Sequence, residues 1–163
     1  VTRAAGADVT NPLDELAVDR SRARAQRDPW ADLCVLGTVD EGLPQSRVLV
    51  LRDLDHRLAV FINATSPKHQ QLVHGQGVSV LTYLASCGVQ YRMAVTISRV
   101  PEDLVHESWR ARPQIPKVMD WLYERHTAQS AVVASTATLQ SLHDTVAATL
   151  GDDPIAPAGA IGF

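Results

Sequence analysis

The run from Ala31 to Ile62 constrains the fold more than any other part of the chain, because it places three strand signals in a span too short for intervening helices. Cys34-Val35-Leu36-Gly37-Thr38-Val39 reads as a strand, Asp40-Glu41-Gly42 as a turn, and Ser46-Arg47-Val48-Leu49-Val50-Leu51 as a second strand. Asp53 to Arg57 then turns the chain into Leu58-Ala59-Val60-Phe61-Ile62. Strands joined directly by turns pair antiparallel, since parallel neighbours need a long crossover. Val78 to Leu84 and Val89 to Ser98 add two longer strands, at least five in all. Several segments are apolar at successive positions, the pattern of a sheet covered on both faces. A closed or nearly closed barrel, with helices or a partner subunit outside it, meets that requirement.

Helix signals flank this core. Asn11 caps a helix that starts at Pro12 and runs to about Arg27, with Leu13, Leu16 and Ala17 on one side, and Asp28-Pro29 ends it. A short helix at about 67 to 74 stops at Gly75 or Gly77. Pro101 opens another to about Arg110, carrying Leu104, Val105 and Trp109. Arg112-Pro113 and Pro116 break the path before a helix around Lys117 to Glu124. Leu139, Leu142, Val146 and Leu150 then mark a helix over about 136–150, stopped by Gly151. The 163 residues suit one domain, 1–163: a loose arm 1–10, an N-terminal helix 11–27, a β core 31–99, a helical region 101–150 and an irregular tail 151–163.

Composition excludes several functions. A formal charge of −3 and a pI near 6.0 argue against a nucleic-acid binder, which needs a basic face. The run Arg20, Arg22, Arg24 and Arg27 reads as a solvated helix face. Cys34 and Cys87 sit in apolar text as small core residues, so neither a disulfide scaffold nor a metal centre is expected. His69 and His74 do not share a helix face, and no HExxH, GxGxxG, Walker loop or nucleophile elbow occurs. No catalytic side chain is assigned, and an enzyme of this composition would leave the hard chemistry to a cofactor. Without a leader or an 18-residue apolar run, the expectation is a soluble cytoplasmic protein with no membrane partner.

Three polar features remain. In Val60-Phe61-Ile62-Asn63-Ala64-Thr65-Ser66-Pro67-Lys68-His69-Gln70, Ser66 can cap a helix that begins at Pro67. Lys68 stands in the first turn, where a cation is mildly unfavourable. Free N–H groups, the Thr65 and Ser66 hydroxyls and an ammonium make either an anion nest or a solvent-facing helix start. Arg47 and Arg52 bracket an apolar strand, as barrel-rim residues or as part of a site. Gln90 and Arg92 share one strand face, at a sheet edge or towards a ligand.

The order of these pieces resembles the pyridoxamine 5′-phosphate oxidase-like family of FMN-binding split barrels, from about Asp28 to Trp121 and more loosely to Leu150. It is carried by Gly42 to Arg52, Val60 to Lys68, Gln90-Tyr91-Arg92, and Trp109-Arg110-Ala111-Arg112-Pro113 followed by Trp121. The resemblance implies a mainly β fold with flanking helices: a split, Greek-key-like antiparallel barrel, paired as a homodimer with FMN between subunits. It places Arg47 at the FMN phosphate, and Arg47, Val48, Leu49, Val50, Leu51 and Arg52 along the flavin, with Arg52 replacing a lysine. Ile62 and Asn63 fall at another flavin contact, Ser66 and Lys68 at the phosphate turn, and Gln90 at a contact from the dimer-facing sheet. Pro67 replaces a cation beside Lys68.

On the substrate side, Arg52 and Arg112 are implied contacts, whereas Ser108 and Pro116 replace a tyrosine and a serine. Arg125 and His126 stand for a Gln-Ser pair that reaches the flavin from the other subunit, which puts Arg125 among the cofactor contacts. The family's oxidases continue past the point where this sequence stops, with a tryptophan and an Arg-Leu-His-Asp-Arg segment. The implied function is an FMN-dependent oxidoreductase, flavin-mediated hydride transfer on a small substrate. The alternatives are a true pyridoxamine or pyridoxine 5′-phosphate oxidase, a non-enzymatic flavin-binding protein, or a binder of deazaflavin or haem in the same fold.

Overall fold

The computed structural model describes residues 11–54, 57–74 and 77–163. In chain order they form α1 (Pro12–Ala25), β1 (Leu33–Asp40), β2 (Leu43–Val50), β3 (Arg52–Leu54), β4 (Arg57–Ala59), β5 (Phe61–Asn63), α2 (Pro67–His74), β6 (Val78–Leu84), β7 (Val89–Val95), α3 (Glu102–Arg110), α4 (Gln114–Arg125), α5 (Thr136–Leu150) and β8 (Ala160–Gly162). The expected loose arm and the Gly75 helix stop lie outside the described residues. Strands and helices are thus mixed, with antiparallel sheets flanked by helices that hold more residues than the strands do.

The sheet is set by its first turn. Glu41 (φ 48°) and Gly42 (φ 81°) both take left-handed backbone, the two-residue hairpin whose twist matches the strands it joins. It pairs β1 with β2 from Asp40–Leu43 to Leu33–Val50. Strand β6 adds to the other edge of β1 and β7 pairs with β6, giving the order β2-β1-β6-β7. Two short ribbons, β3-β4 and β5-β8, complete the strands. Leu36, Leu51, Val60, Ile62, Leu72 and Val80 pack together inside. The other face of the four-stranded sheet leaves Val48, Val50 and Tyr83 at 51%, 44% and 47% exposure. Within one chain, only one sheet face is fully covered.

Three expectations are corrected. First, the Pro- and Gly-rich tail ends in a strand. Ala160 to Gly162 pair with Asn63 to Phe61, and Val60 and Phe163 exchange backbone hydrogen bonds of 2.9 and 3.0 Å. Glycine makes this approach possible: a Cβ at Gly162 would lie 2.9 Å from Phe61 Cε1 and 3.0 Å from Val100 Cβ. The apolar run Leu58 to Ile62 accordingly splits at Val60, one half pairing with β3 and the other with β8. Second, Pro116 does not break the path but lies in the first turn of α4, where its missing N–H leaves no hydrogen bond unmade.

Third, the arginine run is a solvated face only in part: Arg22, Arg24 and Arg27 are exposed as expected, but Arg20 is not. The helix begins as expected, with Asn11 accepting from Leu13 N at 3.1 Å. Its buried side, however, is Leu16, Arg20 and Ala23, at i, i+4 and i+7, while Leu13 and Ala17 are exposed. Arg20 is fully buried. Its guanidinium donates to Ala31 O (3.0 Å) and Leu51 O (2.7 Å) and pairs with Asp32 (3.4 Å) and with Asp53. Arg24 bridges the same two carboxylates at 2.8 and 2.6 Å. The clamp ties α1 to the start of β1 and to the bend after β2. Arg20→Met keeps the apolar stem but strands the Ala31 and Leu51 carbonyls, while Arg24 retains the two carboxylates, so the urea denaturation midpoint is expected to fall by the equivalent of about 3 kcal/mol. Exposed Arg22→Ala should leave the midpoint of the same urea titration nearly unchanged.

Candidate functional site

Helix α2 starts at Pro67 and carries Lys68 and Gln71, three residues apart, on its buried side with Leu72. Lys68 is only 9% exposed. Its Nζ donates to Ser66 Oγ at 2.5 Å and to Gln129 Oε1 at 3.0 Å, both neutral oxygens. Burial lowers the ammonium to about 8, with the positive charge of Arg47 adding to the fall and Asp120 opposing it. Ser66, expected to cap the helix, instead gives its hydroxyl to the lysine, while its carbonyl accepts from His69 N at 2.9 Å.

Arg47 projects from β2 towards the same corner and is held by a closed triangle. Its Nη1 donates to Thr38 Oγ1 and its Nη2 to Gln71 Oε1, each at 2.6 Å. Thr38 Oγ1 donates to the same Gln71 oxygen at 2.8 Å, and Gln71 Nε2 reaches Asp40 at 3.0 Å. The strand face and the helix therefore fix one another through the arginine. Burial lowers the Arg47 guanidinium, with Asp40 offsetting part of the effect.

The turn between β5 and α2 is organised by Asn63, 1% exposed. Its Oδ1 accepts from Thr65 N (3.0 Å) and Thr65 Oγ1 (2.7 Å), and its Nδ2 donates to Asp120 O (3.4 Å). Thr65 Oγ1 in turn accepts from Gln129 N at 3.1 Å, which docks the α4–α5 connection on the turn. On the Arg112 side, Asp120 is a buried carboxylate that accepts from Trp109 Nε1 at 2.9 Å and pairs with Arg112. Burial raises the Asp120 carboxyl, against the lowering effect of Arg112 and Trp109.

Of the residues singled out from sequence, Arg47, Ser66 and Lys68 meet in one corner, and Asn63 builds its floor. Ile62 belongs to the apolar core, as does Leu51, and Leu49 packs against it. Val48 and Val50 face the opposite side of the sheet. Arg52 is exposed on β3 and Gln90 on β7, and among the described residues no hydrogen bond or ion pair joins either to the Lys68 corner. Arg125 stacks on Trp121, 4.3 Å from the ring centroid, and donates to Thr149 at 3.2 Å.

Thr38, Gln71 and Gln129 complete the corner and were not expected there. For Gln129 a signal existed: Gln129-Ser130 is a Gln-Ser pair four residues beyond the positions to which the resemblance assigned one. Among the described residues, no group of His, Cys, Asp or Glu could hold a metal ion, and no helix is long and apolar enough to cross a membrane.

Antiparallel sheets flanked by helices thus bring together Arg47 of β2 and Lys68 at the start of α2. No protein-family model matches the chain. It is 30% identical over 154 residues to the pyridoxine/pyridoxamine 5′-phosphate oxidases of Burkholderia thailandensis and Burkholderia mallei, covering 93% of this chain and 70% of each of those. Two solved structures share the fold. PhzG from Burkholderia lata, in complex with tetrahydrophenazine-1-carboxylic acid, superposes with a TM-score of 0.80 at 21% identity, covering 93% of this chain and 74% of that one. A pyridoxamine 5′-phosphate oxidase-related, FMN-binding protein from Nostoc punctiforme gives 0.70 at 17% identity, covering 96% and 80%. The chain belongs to the pyridoxine/pyridoxamine 5′-phosphate oxidase-like family.

The Lys68 environment has a measurable signature. Its folded-state value lies below the unfolded value of 10.5, so the unfolded chain holds the proton more tightly and this group turns in favour of the fold as pH rises from about 8 to 10.5. Lysine side-chain NMR should show one ammonium with a midpoint near 8, moving upward in Arg47→Met as the like charge is removed. Inorganic phosphate should move it upward too, because an anion stabilises the charged form.

Proposed function

We propose that the chain is an FMN-dependent oxidoreductase, a split-barrel homodimer that holds the FMN phosphate between Arg47 and Lys68. The observation that carries this reading is the desolvated Lys68 ammonium, satisfied only by neutral oxygens within the field of a second fixed cation. Such an arrangement is unfavourable when empty of negative charge and favourable around a phosphate. Ser66, the Thr65–Gln129 contact and the start of α2 supply further polar groups at that end. The relatives' names as oxidases and the FMN-binding neighbour support the same cofactor.

When bound, FMN would supply two-electron oxidation of a small substrate. The chain's own residues bind and orient it. Arg47 and Lys68 would hold the phosphate end, and Val48 to Arg52 and the Ile62 strand would supply the ring-side contacts. The half-exposed Val48, Val50 and Tyr83 form the face onto which a second copy packs. Gln90, opposite Tyr83 on the neighbouring strand, then faces the partner's site. Arg52 and Arg112 stand on the substrate side.

Purified protein incubated with FMN and passed through a desalting column should retain flavin absorbance. Lys68→Ala should weaken FMN binding by about tenfold or more and leave riboflavin, which lacks the phosphate, nearly unaffected. Equal affinities of wild type and Lys68→Ala for FMN would refute the phosphate assignment. A charge on the apolar face, Val48→Asp, should shift the sedimentation coefficient from dimer to monomer, since a buried unpaired carboxylate costs more than the contact contributes. Flavin retention should fall with it; a dimer that survives the substitution would place the interface elsewhere.

A further inference from the structure

We propose that Asp120 is the specificity-determining residue of the substrate side, setting it for a small substrate without a phosphate group. The inference rests on Arg112 standing on the substrate side, as in the function proposed above. A phosphate monoester needs net positive charge where it docks, yet the guanidinium of Arg112 is already paired within its own chain. Its Nη1 meets Asp120 Oδ2, and the same oxygen accepts from Trp109 Nε1 at 2.9 Å. Trp109 is 2% and Asp120 6% exposed, so neither swings out to solvent at low cost. Arg112 and Asp120 lie eight residues apart, on either side of the start of α4, and the helix holds the carboxylate in place.

Among the buried charges nearby none replaces what the pair removes, and Arg52, the other cation proposed for the substrate side, is exposed on β3 and keeps its charge in solvent. Lys117 is buried and turned onto the Trp109 ring, its Nζ 5.3 Å from the centroid. Ser108, half-buried on α3, and Pro116, at the start of α4, bring no cation. By Coulomb's law in a uniform medium, a carboxylate ~6–7 Å from a phosphate cancels about 60% of the attraction of a guanidinium at ~4 Å. The remainder does not offset the desolvation of a dianion. The free Nε and Nη2 groups of a neutralised arginine suit a carbonyl, a hydroxyl or a single carboxylate instead.

The readout is the ratio of affinities for pyridoxine 5′-phosphate and pyridoxine, measured by calorimetry on the full chain with and without FMN. Wild type should bind the two within about threefold of each other, and Arg112→Met, which leaves the Asp120 charge unmatched, should lower the relative affinity for the phosphate ester. Asp120→Asn keeps the side-chain shape and the Trp109 hydrogen bond while removing the charge, so it should raise preference for the phosphate ester by about tenfold or more. A wild-type preference of tenfold or more that Arg112→Met abolishes overturns the proposal, and so does an Asp120→Asn protein that gains no phosphate-ester binding. Failure of the cofactor reading is separate: the samples would then retain no flavin, while the ratio on the flavin-free chain still reports on Asp120. Thermal unfolding of each variant identifies loss of fold, and Asp120→Ser, smaller and neutral, must reproduce the Asp120→Asn gain.

Discussion

The side-chain amide of Asn63 is the constraint on which the candidate site depends. It sits at the end of β5, almost wholly buried, and uses both ends. The oxygen closes the turn through Thr65, and the nitrogen reaches the backbone of α4 at Asp120. The tail closes over it: Ala64 N donates to Gly159 O at 2.7 Å, and a Cβ at Gly159 would come 3.3 Å from Asn63 Oδ1 and 2.4 Å from Glu124 Oε2. One amide therefore joins a strand, the lysine turn, a helix and the last ribbon. An aliphatic residue there would remove the acceptor that closes the turn through Thr65 N and Thr65 Oγ1 and the donor to Asp120 O. Lys68 is positioned by this scaffold more than by its own helix, which is only eight residues long.

The same connections distribute charge unevenly. Arg47 and Lys68 lie at one end without a carboxylate bonded to either, while Asp40 is linked to the arginine only through Gln71. At the other end Arg112 is matched by Asp120. Asp120 bears on both ends, pairing with Arg112 directly and acting on Lys68 through space. In the proposed function an anion would therefore be favoured at the α2 end and disfavoured at the α4 end, although each end carries arginine or lysine. Counting cations would not separate the two; their partners do.

Much of the fold was legible because local signals and tertiary demand agree. The β1–β2 hairpin, the Asn11 cap, the α5 stripe of Leu139, Leu142, Val146 and Leu150 packed on α4 and the stop at Gly151 follow from turn chemistry and periodicity. Arg20 and β8 were not legible, for different reasons. A buried arginine looks like a solvated one until its acceptors, Ala31 O and Leu51 O, are brought together from distant strands. A three-residue strand among prolines and glycines has no propensity signal and exists because β5 offers an unpaired edge. The site divides along the same line. Lys68 stood out as a misplaced cation, whereas Thr38, Gln71 and Asp120 act only through neighbours far away in sequence.

The positions of Arg52, Gln90 and Arg125 sharpen what a second subunit would have to do. In one chain they are dispersed over β3, β7 and the end of α4, away from the Lys68 corner. Arg125, expected to reach the flavin from the other subunit, is already engaged with Trp121 and Thr149, whereas Gln129 meets Lys68 within the chain. In the proposed dimer, each flavin would be gripped at its phosphate by one chain and contacted along its ring by the other. Cofactor and partner then stabilise the same state, and each raises the apparent affinity for the other by the same factor. The half-exposed Val48, Val50 and Tyr83 would be costly in a lone subunit and useful in a pair. A monomer that kept full FMN affinity would break this linkage, because the ring contacts would then have to come from Val48 to Arg52 alone.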